Sequence, residues 1–335
     1  MEPVLAAVDI GGTKVTASVA RREGILAKVY QPTVRTGDIR ALPRQVDYLL
    51  GYACERVKVD KTSIKALGIS TCSPFKKKNG YLSLLCPNIC GGLAKERGIL
   101  PNDWIEVPLE EELRKHFRKV KIGNDCVTAV AAERIFGAGQ GEKNMIYVTW
   151  STGIGAGAYV GGKLLLGKNS NAMHLGHTFI SWVDEGQPQC GCGDYGHLEA
   201  FAAGPALERE YGEPPVEAFR KYREGEPRAM AVIGKAVRIF ARGLANATSL
   251  LDPALIVIGG SVARDWDVLE PLIKHEYYSC FPPLTEGVRI VRSALDRFLG
   301  DIAALSLVMP KKWIELWKVE RPWENPPDTV NLDAS

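Results

Sequence analysis

Residues 8–15 read VDIGGTKV, and about 140 residues further along the chain, residues 149–155 read TWSTGIG, which suggests an internal duplication. In each stretch a short β-prone run ends in a turn rich in glycine and threonine, and a second β-prone run follows. The repeated strand, turn and strand predict two similar lobes facing each other across a cleft. The sequence therefore indicates an α/β fold built from two related halves.

The two glycine turns have the chemistry of a phosphate site. Glycine lets the backbone approach a ligand closely and expose successive N–H groups, and threonine adds a hydroxyl donor. Asp9 stands just before the first turn, and we expect its carboxylate to hold Mg2+ through water. A single turn of this kind is more often a plain hairpin. Two such glycine turns in one chain favour phosphate binding.

Length and composition exclude several classes of protein. A chain of 335 residues with 46% hydrophobic and 24% charged residues is globular and long enough for two domains. Its formal net charge of +3 is too small to indicate binding to nucleic acid or a membrane surface. Its apolar runs are too short to span a bilayer, and its amino terminus lacks the pattern of a signal peptide. We expect a cytoplasmic protein that binds small molecules.

Helix and strand signals predict the domain limits. The predicted helices cover 39–55, 126–136 and about 229–251, and the predicted strands include 64–70, 119–122, 145–150 and 254–258. We expect a smaller amino-terminal lobe over 1–118, completed by a helix near 298–318, and a larger carboxyl-terminal lobe over 119–297. The Pro-rich residues 321–335 are expected to form a strap or a frayed end.

Histidine and cysteine are concentrated in one segment, residues 174–197. The chain has five histidines and eight cysteines, and the spacing H-x12-C-x-C-x4-H joins His177, Cys190, Cys192 and His197. Two imidazoles and two thiolates form a set that Zn2+ accepts, and a closed set of four ligands is structural. We therefore expect zinc to fix this loop. The remaining cysteines are interpreted as ordinary thiols: Cys54, Cys72, Cys86, Cys90, Cys126 and Cys280.

These motifs together resemble those of the ROK family of sugar kinases and repressors, which belongs to the actin/hexokinase-like superfamily with its ribonuclease H-like lobes. The resemblance covers most of the chain. It rests on DIGGTK at 9–14, GND at 123–125, TGIG at 152–155, IGG at 258–260 and a cysteine motif over 190–199. The resemblance implies the two-lobed α/β fold that the duplication also predicts.

Two histidines depart from the family pattern. His197 stands where the family has a third cysteine, and imidazole is an equally good zinc ligand, so the number of ligands is preserved. His174 stands where the family has a glutamate that helps bind sugar hydroxyls. An imidazole reproduces the hydrogen bonds of a carboxylate only in part. Either His174 changes which hydroxyls are recognised, or it lies outside the pocket.

The resemblance implies an enzyme that transfers the γ-phosphoryl group of MgATP to the 6-hydroxyl of glucose or a related hexose. Asp125 is the expected general base, because it follows a strand and begins a helix whose amino terminus favours the ionised carboxylate; the alternative is a plain helix cap. The expected sugar contacts are Asn88, Asn124, Asp125, His174, His177 and Glu199. The expected contacts to ATP and Mg2+ are Asp9, Gly11, Gly12, Thr13, Lys14, Thr152, Gly153, Gly259 and Gly260.

Two other functions remain open from the sequence. One is a kinase for an N-acetylated hexosamine, such as N-acetylmannosamine or N-acetylglucosamine, or for another sugar. The other is a sugar-responsive regulator without catalysis, although a regulator has no need to keep Asp125 and both phosphate turns. The family's repressors carry an amino-terminal helix-turn-helix, and here the first phosphate strand starts within five residues of Met1, so DNA binding is not expected. By analogy with the family, we expect a dimer or tetramer.

Overall fold

The chain folds into two compact units. The computed structural model describes residues 3–93, 100–182 and 186–332. The first unit comprises Met1–Phe136, Leu166–Ala172 and Arg297–Ser335, and the second comprises Gly137–Leu165 and Met173–Asp296.

Both units contain strands and helices. The strands are β1 (Val4–Ile10), β2 (Lys14–Arg21), β3 (Gly24–Pro32), β4 (Ile64–Thr71), β5 (Phe75–Lys78), β6 (Tyr81–Leu84), β7 (Val120–Asn124), β8 (Met145–Trp150), β9 (Ile154–Val160), β10 (Lys163–Leu164), β11 (Leu255–Gly259), β12 (Arg289–Arg292) and β13 (Thr329–Asn331). The α-helices are α1 (Ala41–Arg56), α2 (Leu109–Leu113), α3 (Asp125–Phe136), α4 (Leu198–Ala202), α5 (Gly204–Tyr211), α6 (Pro215–Arg223), α7 (Pro227–Leu251), α8 (Trp266–Tyr278), α9 (Pro282–Thr285), α10 (Leu299–Ser306) and α11 (Lys311–Glu320).

The first unit is built on a mixed sheet with the strand order β13-β3-β2-β1-β4-β7. β1 and β2 form an antiparallel hairpin, in which Asp9 lies opposite Thr16. β4 runs parallel to β1, and β7 runs parallel to β4. The carboxyl ends of these three strands therefore meet at one edge of the sheet, and Asp9 and Asn124 lie near that edge.

The second unit repeats this topology with the strand order β10-β9-β8-β11-β12. β8 and β9 form the antiparallel hairpin, and β11 and β12 continue the sheet in parallel. This is the order and direction of β3-β2-β1-β4-β7 in the first unit. The predicted duplication of an α/β unit is thus confirmed.

Each sheet is covered by helices whose apolar spacing explains their position. In α1 the buried side chains include Leu42, Val46, Leu49 and Leu50, which recur every three or four residues and so line one helical face. Each such buried leucine contributes about 1.5–3 kcal/mol relative to an exposed one. In α7 the same spacing buries Ile233, Val237, Phe240 and Leu244 in the core of the second unit.

Helix α10 lies close against the first sheet, where it contacts β1 and β4. The close approach depends on Gly68 in β4, because a methyl group there would overlap the backbone carbonyl of Ala304. The amino-terminal turn of α10 lies beside Asp9, since a Cβ atom on Gly300 would lie 3.7 Å from the Asp9 Oδ2 atom. This helix therefore forms part of the surroundings of Asp9.

The structure differs from two sequence expectations. Pro-rich residues 321–335 were expected to be a strap or a frayed end, but they contain β13, which pairs in parallel with β3; residues 333–335 lie outside the described part. The first unit also continues to Phe136, whereas the second lobe was expected to begin at residue 119. The reason is that β7 pairs with β4 and brings α3 with it. The functional limits of the lobes stay a prediction.

Among the described residues, no helix is both long and apolar enough to cross a membrane.

Candidate active site and metal centre

The first glycine turn joins β1 to β2 and is held from several sides. The Gly11 N–H donates to the Lys14 carbonyl at 2.9 Å. The Thr33 hydroxyl donates to the Gly11 carbonyl at 2.7 Å, and the Arg35 guanidinium donates to the Gly12 carbonyl at 3.1 Å. Because the carbonyl groups of Gly11 and Gly12 accept these hydrogen bonds, the turn has a fixed shape. A fixed turn can present backbone N–H groups to an anion without reorganisation.

The side chains at the end of this turn are accessible. Thr13 and Lys14 are exposed, and Asp9 is half-buried. The Lys14 ammonium lies 5.8 Å from the centre of the Tyr30 ring, within the range of a cation–π contact. The Lys14 side chain therefore lies over β3.

Asn88 lies next to the first glycine turn. A Cβ atom on Gly12 would lie 3.1 Å from the Asn88 Cβ atom, so glycine at this position allows the two loops to approach closely. The Asn88 side chain itself is exposed. Its position beside the turn is compatible with the predicted contact to a sugar.

Asp125 and Asn124 lie where β7 passes directly into α3. Asp125 is the first residue of the helix, and its Oδ1 atom accepts a hydrogen bond from the Cys126 N–H at 2.8 Å. The Asn124 Oδ1 atom accepts from the same N–H at 2.9 Å, and its Nδ2 atom donates to the Ser73 hydroxyl at 2.7 Å. Asn124 is therefore fixed between α3 and the loop after β4.

Asp125 is accessible, and the surrounding protein nevertheless shifts the pKa of its carboxyl. The side chain is exposed to solvent, as a group that meets a substrate must be. Desolvation nonetheless raises the pKa of this carboxyl, and the hydrogen bond from the Cys126 N–H opposes that shift only in part. A raised pKa makes the carboxylate a better proton acceptor. The helix-cap alternative also accounts for the Cys126 hydrogen bond.

The second glycine turn, between β8 and β9, lies beside the turn that follows β11. The Ser151 hydroxyl hydrogen-bonds to the Ser261 hydroxyl at 2.9 Å, and the Ser151 carbonyl accepts from the Gly204 N–H at 2.8 Å. Gly260 has a φ of +99°, and a side chain there would overlap the backbone of Trp150. Thr152, Gly153, Gly259 and Gly260 thus belong to one surface of the second unit.

Glu199 lies on α4 and supports the second turn. Its Oε2 atom accepts a hydrogen bond from the Ile154 N–H at 2.9 Å. Glycines surround the carboxylate: Cβ atoms on Gly153, Gly176 and Gly191 would lie 2.6, 3.2 and 3.1 Å from its oxygens. The space around this carboxylate therefore depends on the absence of side chains at these positions.

His177, Cys190, Cys192 and His197 converge as the sequence predicted. One ligand atom from each residue lies within 4.8 Å of all the others. The Cys190 Sγ atom is 3.6 Å from the His177 Nδ1 atom, and the Cys192 Sγ atom is 3.3 Å from the His197 Nδ1 atom. Zinc bonds of about 2.0–2.3 Å in a tetrahedron require ligand separations of about 3.3–3.8 Å. The donor set fits zinc, and the two measured S–N separations lie in this range.

The loop around this centre has a shape suited to metal binding. The Cys190 N–H donates to the Asp194 carbonyl at 2.8 Å, and the Gly193 N–H donates to the Cys190 carbonyl at 2.9 Å. Gly193 adopts a φ of +100°, which glycine tolerates without strain. Burial raises the pKa of the Cys190 thiol to about 12, so without a cation the thiolate is disfavoured. A bound divalent cation supplies the positive charge that stabilises thiolate ligands.

His174 lies beside the metal ligands. Its ring is stacked on the His177 ring with the centroids 5.7 Å apart. Burial lowers the pKa of His174, and the neighbouring His177 contributes to the shift. The ring is therefore neutral at pH 7 and can both donate and accept one hydrogen bond.

Sequence reasoning missed several residues that fix the site. Ser73, Thr33, Arg35 and Ser261 each bond to a predicted site residue or to its turn. Except for Ser261, which follows the IGG motif directly, they lie in segments with no motif. Only the folded chain brings them to the turns that they hold.

The chain resembles known proteins over nearly its whole length. The ROK family model matches residues 5–308. A glucokinase from Thermotoga maritima is 28% identical over 91% of this chain and 96% of its own length. An N-acetylmannosamine kinase from Haemophilus influenzae is 31% identical over 83% of this chain and 86% of its own length.

Solved structures show the same fold. A ROK hexokinase from Thermus thermophilus is 31% identical, with a TM-score of 0.71 over 90% of this chain and 97% of its own. A ROK-family glucokinase from Streptomyces griseus, in complex with glucose and AMPPNP, is 26% identical, with a TM-score of 0.69 over 91% and 98% of the two chains. A ROK-family transcriptional regulator, 18% identical with a TM-score of 0.75 over 97% of this chain and 82% of its own, shares the fold.

The fold and its relatives define a sugar kinase with the actin/hexokinase-like architecture. The predicted fold class and enzyme class are both confirmed. More narrowly, the chain belongs to the ROK family.

Proposed function

We propose that the enzyme transfers the γ-phosphoryl group of MgATP to the 6-hydroxyl of glucose or a related hexose. The observation that carries the proposal is Asp125, an accessible carboxyl at the junction of β7 and α3 whose pKa is raised by desolvation. The glucokinase and hexokinase relatives support the choice of sugar, and the glucokinase bound to AMPPNP supports ATP.

Asp125 acts as the general base in this proposal. The oxygen of the sugar hydroxyl forms a bond to the γ-phosphorus while the bond to the β–γ bridging oxygen breaks, and ADP leaves. The proton of the hydroxyl passes to the Asp125 carboxylate. Phosphoryl transfer requires mainly positioning and neutralisation of charge, so one well-placed acceptor for this proton is sufficient.

The sugar is bound by polar side chains that other parts of the protein already hold in place. Asn124 is fixed by Ser73 and the Cys126 N–H, and Glu199 by the Ile154 N–H. Such preorganisation strengthens recognition, because a misplaced partner leaves a buried polar group unpaired. The proposed sugar contacts are Asn88, Asn124, Asp125, His174, His177 and Glu199.

The nucleotide phosphates are bound by the glycine turns. Gly12 and Thr13 supply donors from the first turn, while Gly11 keeps its N–H on the Lys14 carbonyl and lets the backbone approach the phosphates closely. Lys14 adds a positive charge, and Asp9 holds Mg2+ through water. In the second unit the proposed contacts are Thr152, Gly153, Gly259 and Gly260. When bound, Mg2+ neutralises charge on the phosphates.

Zinc has a structural role in the proposal. His177, Cys190, Cys192 and His197 form a closed set of ligands, which leaves no position for water or substrate. The metal fixes the loop that contains His177. This loop lies next to Glu199. Its effect on catalysis is therefore indirect.

An amino sugar is the second candidate substrate. His174 stands beside His177 as a neutral ring, and the Haemophilus relative is an N-acetylmannosamine kinase. A neutral imidazole can donate to an acetamido carbonyl, which a carboxylate cannot do.

A non-catalytic regulator is the third candidate, and the accessible Asp125 argues against it. The oligomeric state and the cytoplasmic location stay predictions.

A coupled assay of ADP release over a panel of sugars tests these alternatives. The panel contains glucose, mannose, N-acetylglucosamine and N-acetylmannosamine, each with MgATP. We expect the highest kcat/KM with glucose or mannose. Turnover with the amino sugars alone would transfer the assignment to the second candidate, and no turnover with any sugar despite measurable sugar binding would favour the regulator.

A further inference from the structure

A short loop of residues 166–172, here called the asparagine loop, belongs to the first unit and lies against strand β5. The Ala172 N–H donates to the Leu166 carbonyl at 3.0 Å and closes the base of the loop. Ser170 within it has a φ of +59°. A residue other than glycine keeps such a conformation only where the surrounding contacts fix it.

Asn171 binds the backbone of β5 with both ends of its side-chain amide. Its Oδ1 atom accepts from the Phe75 N–H at 2.8 Å, and its Nδ2 atom donates to the Phe75 carbonyl at 2.7 Å. The Asn169 Oδ1 atom accepts from the Lys77 N–H at 3.3 Å. Phe75 and Lys77 are two residues apart, so these groups share one edge of β5, opposite the edge that pairs with β6. The Asn171 amide thus takes the place of a neighbouring strand.

The bond to Phe75 fixes one end of the loop that contains Ser73. Ser73 lies between the end of β4 and the start of β5, two residues before Phe75. The Phe75 side chain is buried, which anchors the ring, and the Asn171 amide holds the backbone N–H and carbonyl. The Ser73 hydroxyl accepts from the Asn124 Nδ2 atom at 2.7 Å. The position of this hydroxyl therefore depends on where Phe75 is held.

The Ser73 hydroxyl in turn determines the orientation of the Asn124 amide. One end of an asparagine amide donates hydrogen bonds and the other accepts them. The Asn124 Oδ1 atom accepts from the Cys126 N–H at 2.9 Å, and its Nδ2 atom donates to Ser73. The second hydrogen and the second lone pair then have fixed directions in which they can meet a sugar hydroxyl. Without the Ser73 contact, a bound sugar would have to order this amide itself.

We infer that Asn171 is a positioning residue for the proposed sugar site. Its amide holds Phe75, and through residues 73–75 it keeps the Ser73 hydroxyl where it orients Asn124. The inference rests on the proposed function for its effect on the sugar, whereas the hold on Phe75 is independent of that function. Asn171 contacts neither glycine turn in this inference, so its effect belongs to sugar binding and not to nucleotide binding.

Steady-state kinetics of Asn171→Ala test the inference, with Asn169→Ala as the matched control. In Asn171→Ala we expect the KM for the preferred sugar to rise about fivefold, as for the loss of about one hydrogen bond. The kcat and the KM for MgATP should change by less than about twofold, because the nucleotide site and Asp125 keep their contacts. Asn169→Ala loses a contact to the same edge of β5, farther from Ser73, and should behave as the unaltered enzyme.

A double-mutant cycle tests the route through Ser73. Ser73→Ala alone should raise the KM for the sugar, and addition of Asn171→Ala should raise it little further, because the route is already interrupted. Thermal unfolding confirms that each variant is folded. If Asn171→Ala does not fold, Asn171→Asp replaces it in the same cycle. The aspartate keeps an acceptor for the Phe75 N–H and lacks the donor for the Phe75 carbonyl.

Three kinetic outcomes would overturn the inference. They are an unchanged KM for the sugar in Asn171→Ala, an equal rise in Asn169→Ala, and single effects that multiply in the double variant. The first would remove any influence on the sugar, the second would assign the effect to general anchoring of β5, and the third would exclude the route through Ser73.

Amide hydrogen exchange of the substrate-free protein separates this inference from the proposed function. The Phe75 amide should exchange faster in Asn171→Ala than in the unaltered protein, whether or not a sugar is phosphorylated. Unchanged exchange would contradict the hold on Phe75. If the unaltered protein neither turns over nor binds any sugar while this exchange difference is present, the proposed function fails and the hold on Phe75 stands.

Discussion

At the scale of single residues, Asp125 has two properties with opposite effects on the stability of its ionised carboxylate in the folded protein. It is the first residue of α3, where a carboxylate is favoured, yet desolvation raises its pKa. The raised pKa means that ionisation of this group disfavours the folded state. Such a cost is retained at a functional site when the ionised group is needed for chemistry.

Asp125→Asn should lower kcat by a hundredfold or more, about the contribution of a general base. Sugar binding should remain measurable, because the amide keeps the shape of the side chain and an oxygen to accept the Cys126 N–H. Steady-state kinetics and calorimetric titration with sugar measure the two effects. Near-normal turnover in the variant would exclude Asp125 as the base.

The same variant should be more stable than the unaltered protein at neutral pH. A carboxyl with a raised folded pKa contributes stability below its unfolded pKa of about 3.8, and this is lost as the pH rises through the folded value. Asparagine does not titrate, so the difference in Tm should be largest near pH 7 and vanish near pH 3. Thermal unfolding across this range measures it. A lower Tm for the variant at pH 7 would contradict the direction of the shift.

At the scale of elements, the segment from His174 to Glu199 contains little regular structure over its described residues, 174–182 and 186–199. A short 3-10 turn covers Leu175–His177, and α4 begins only at Leu198. Loops of this kind have few contacts to fix them, and in this segment four side chains that could bind a metal converge. We therefore expect the geometry of Glu199 and His177 to depend on the metal.

Purified protein should contain about one tightly bound zinc ion per chain, and Cys192→Ser should lose it together with several degrees of Tm. Cys280→Ser is the matched control, because Cys280 is a half-buried cysteine outside the ligand set. Elemental analysis and thermal unfolding provide the measurements. His197→Cys should keep zinc, since both side chains are good ligands. Substoichiometric zinc in the unaltered protein would contradict the assignment.

At the scale of the whole molecule, the last described residues complete the first unit. β13 adds a strand beside β3, and Trp323 is buried at 1% exposure with its ring 5.0 Å from that of Phe136. The tail thus joins the edge of the sheet to the end of α3. A segment that looks like a loose end in the sequence is part of the core.

Trp323→Ala should destabilise the protein by about 3–5 kcal/mol, as expected for a large buried side chain replaced by alanine. Trp182→Ala is the control, because Trp182 is 91% exposed and its loss should change stability by less than about 0.5 kcal/mol. Denaturant unfolding of both variants measures the difference. Equal effects would show that the tail does not contribute to the core.

The sequence was sufficient to predict the duplicated topology and the convergence of His177, Cys190, Cys192 and His197. Glycine turns and short β-prone runs are local signals, so 8–15 and 149–155 could be read directly as hairpins. The spacing of the two cysteines and two histidines likewise matches a ligand pattern that zinc accepts.

Only the tertiary structure decided what surrounds these motifs. Thr33, Arg35 and Ser73 hold the site through single hydrogen bonds to residues distant in sequence, and such pairings leave no local pattern. The pairing of β13 with β3 is of the same kind. Local propensity follows from each residue and its neighbours, whereas these contacts exist only because the strands place separate loops side by side.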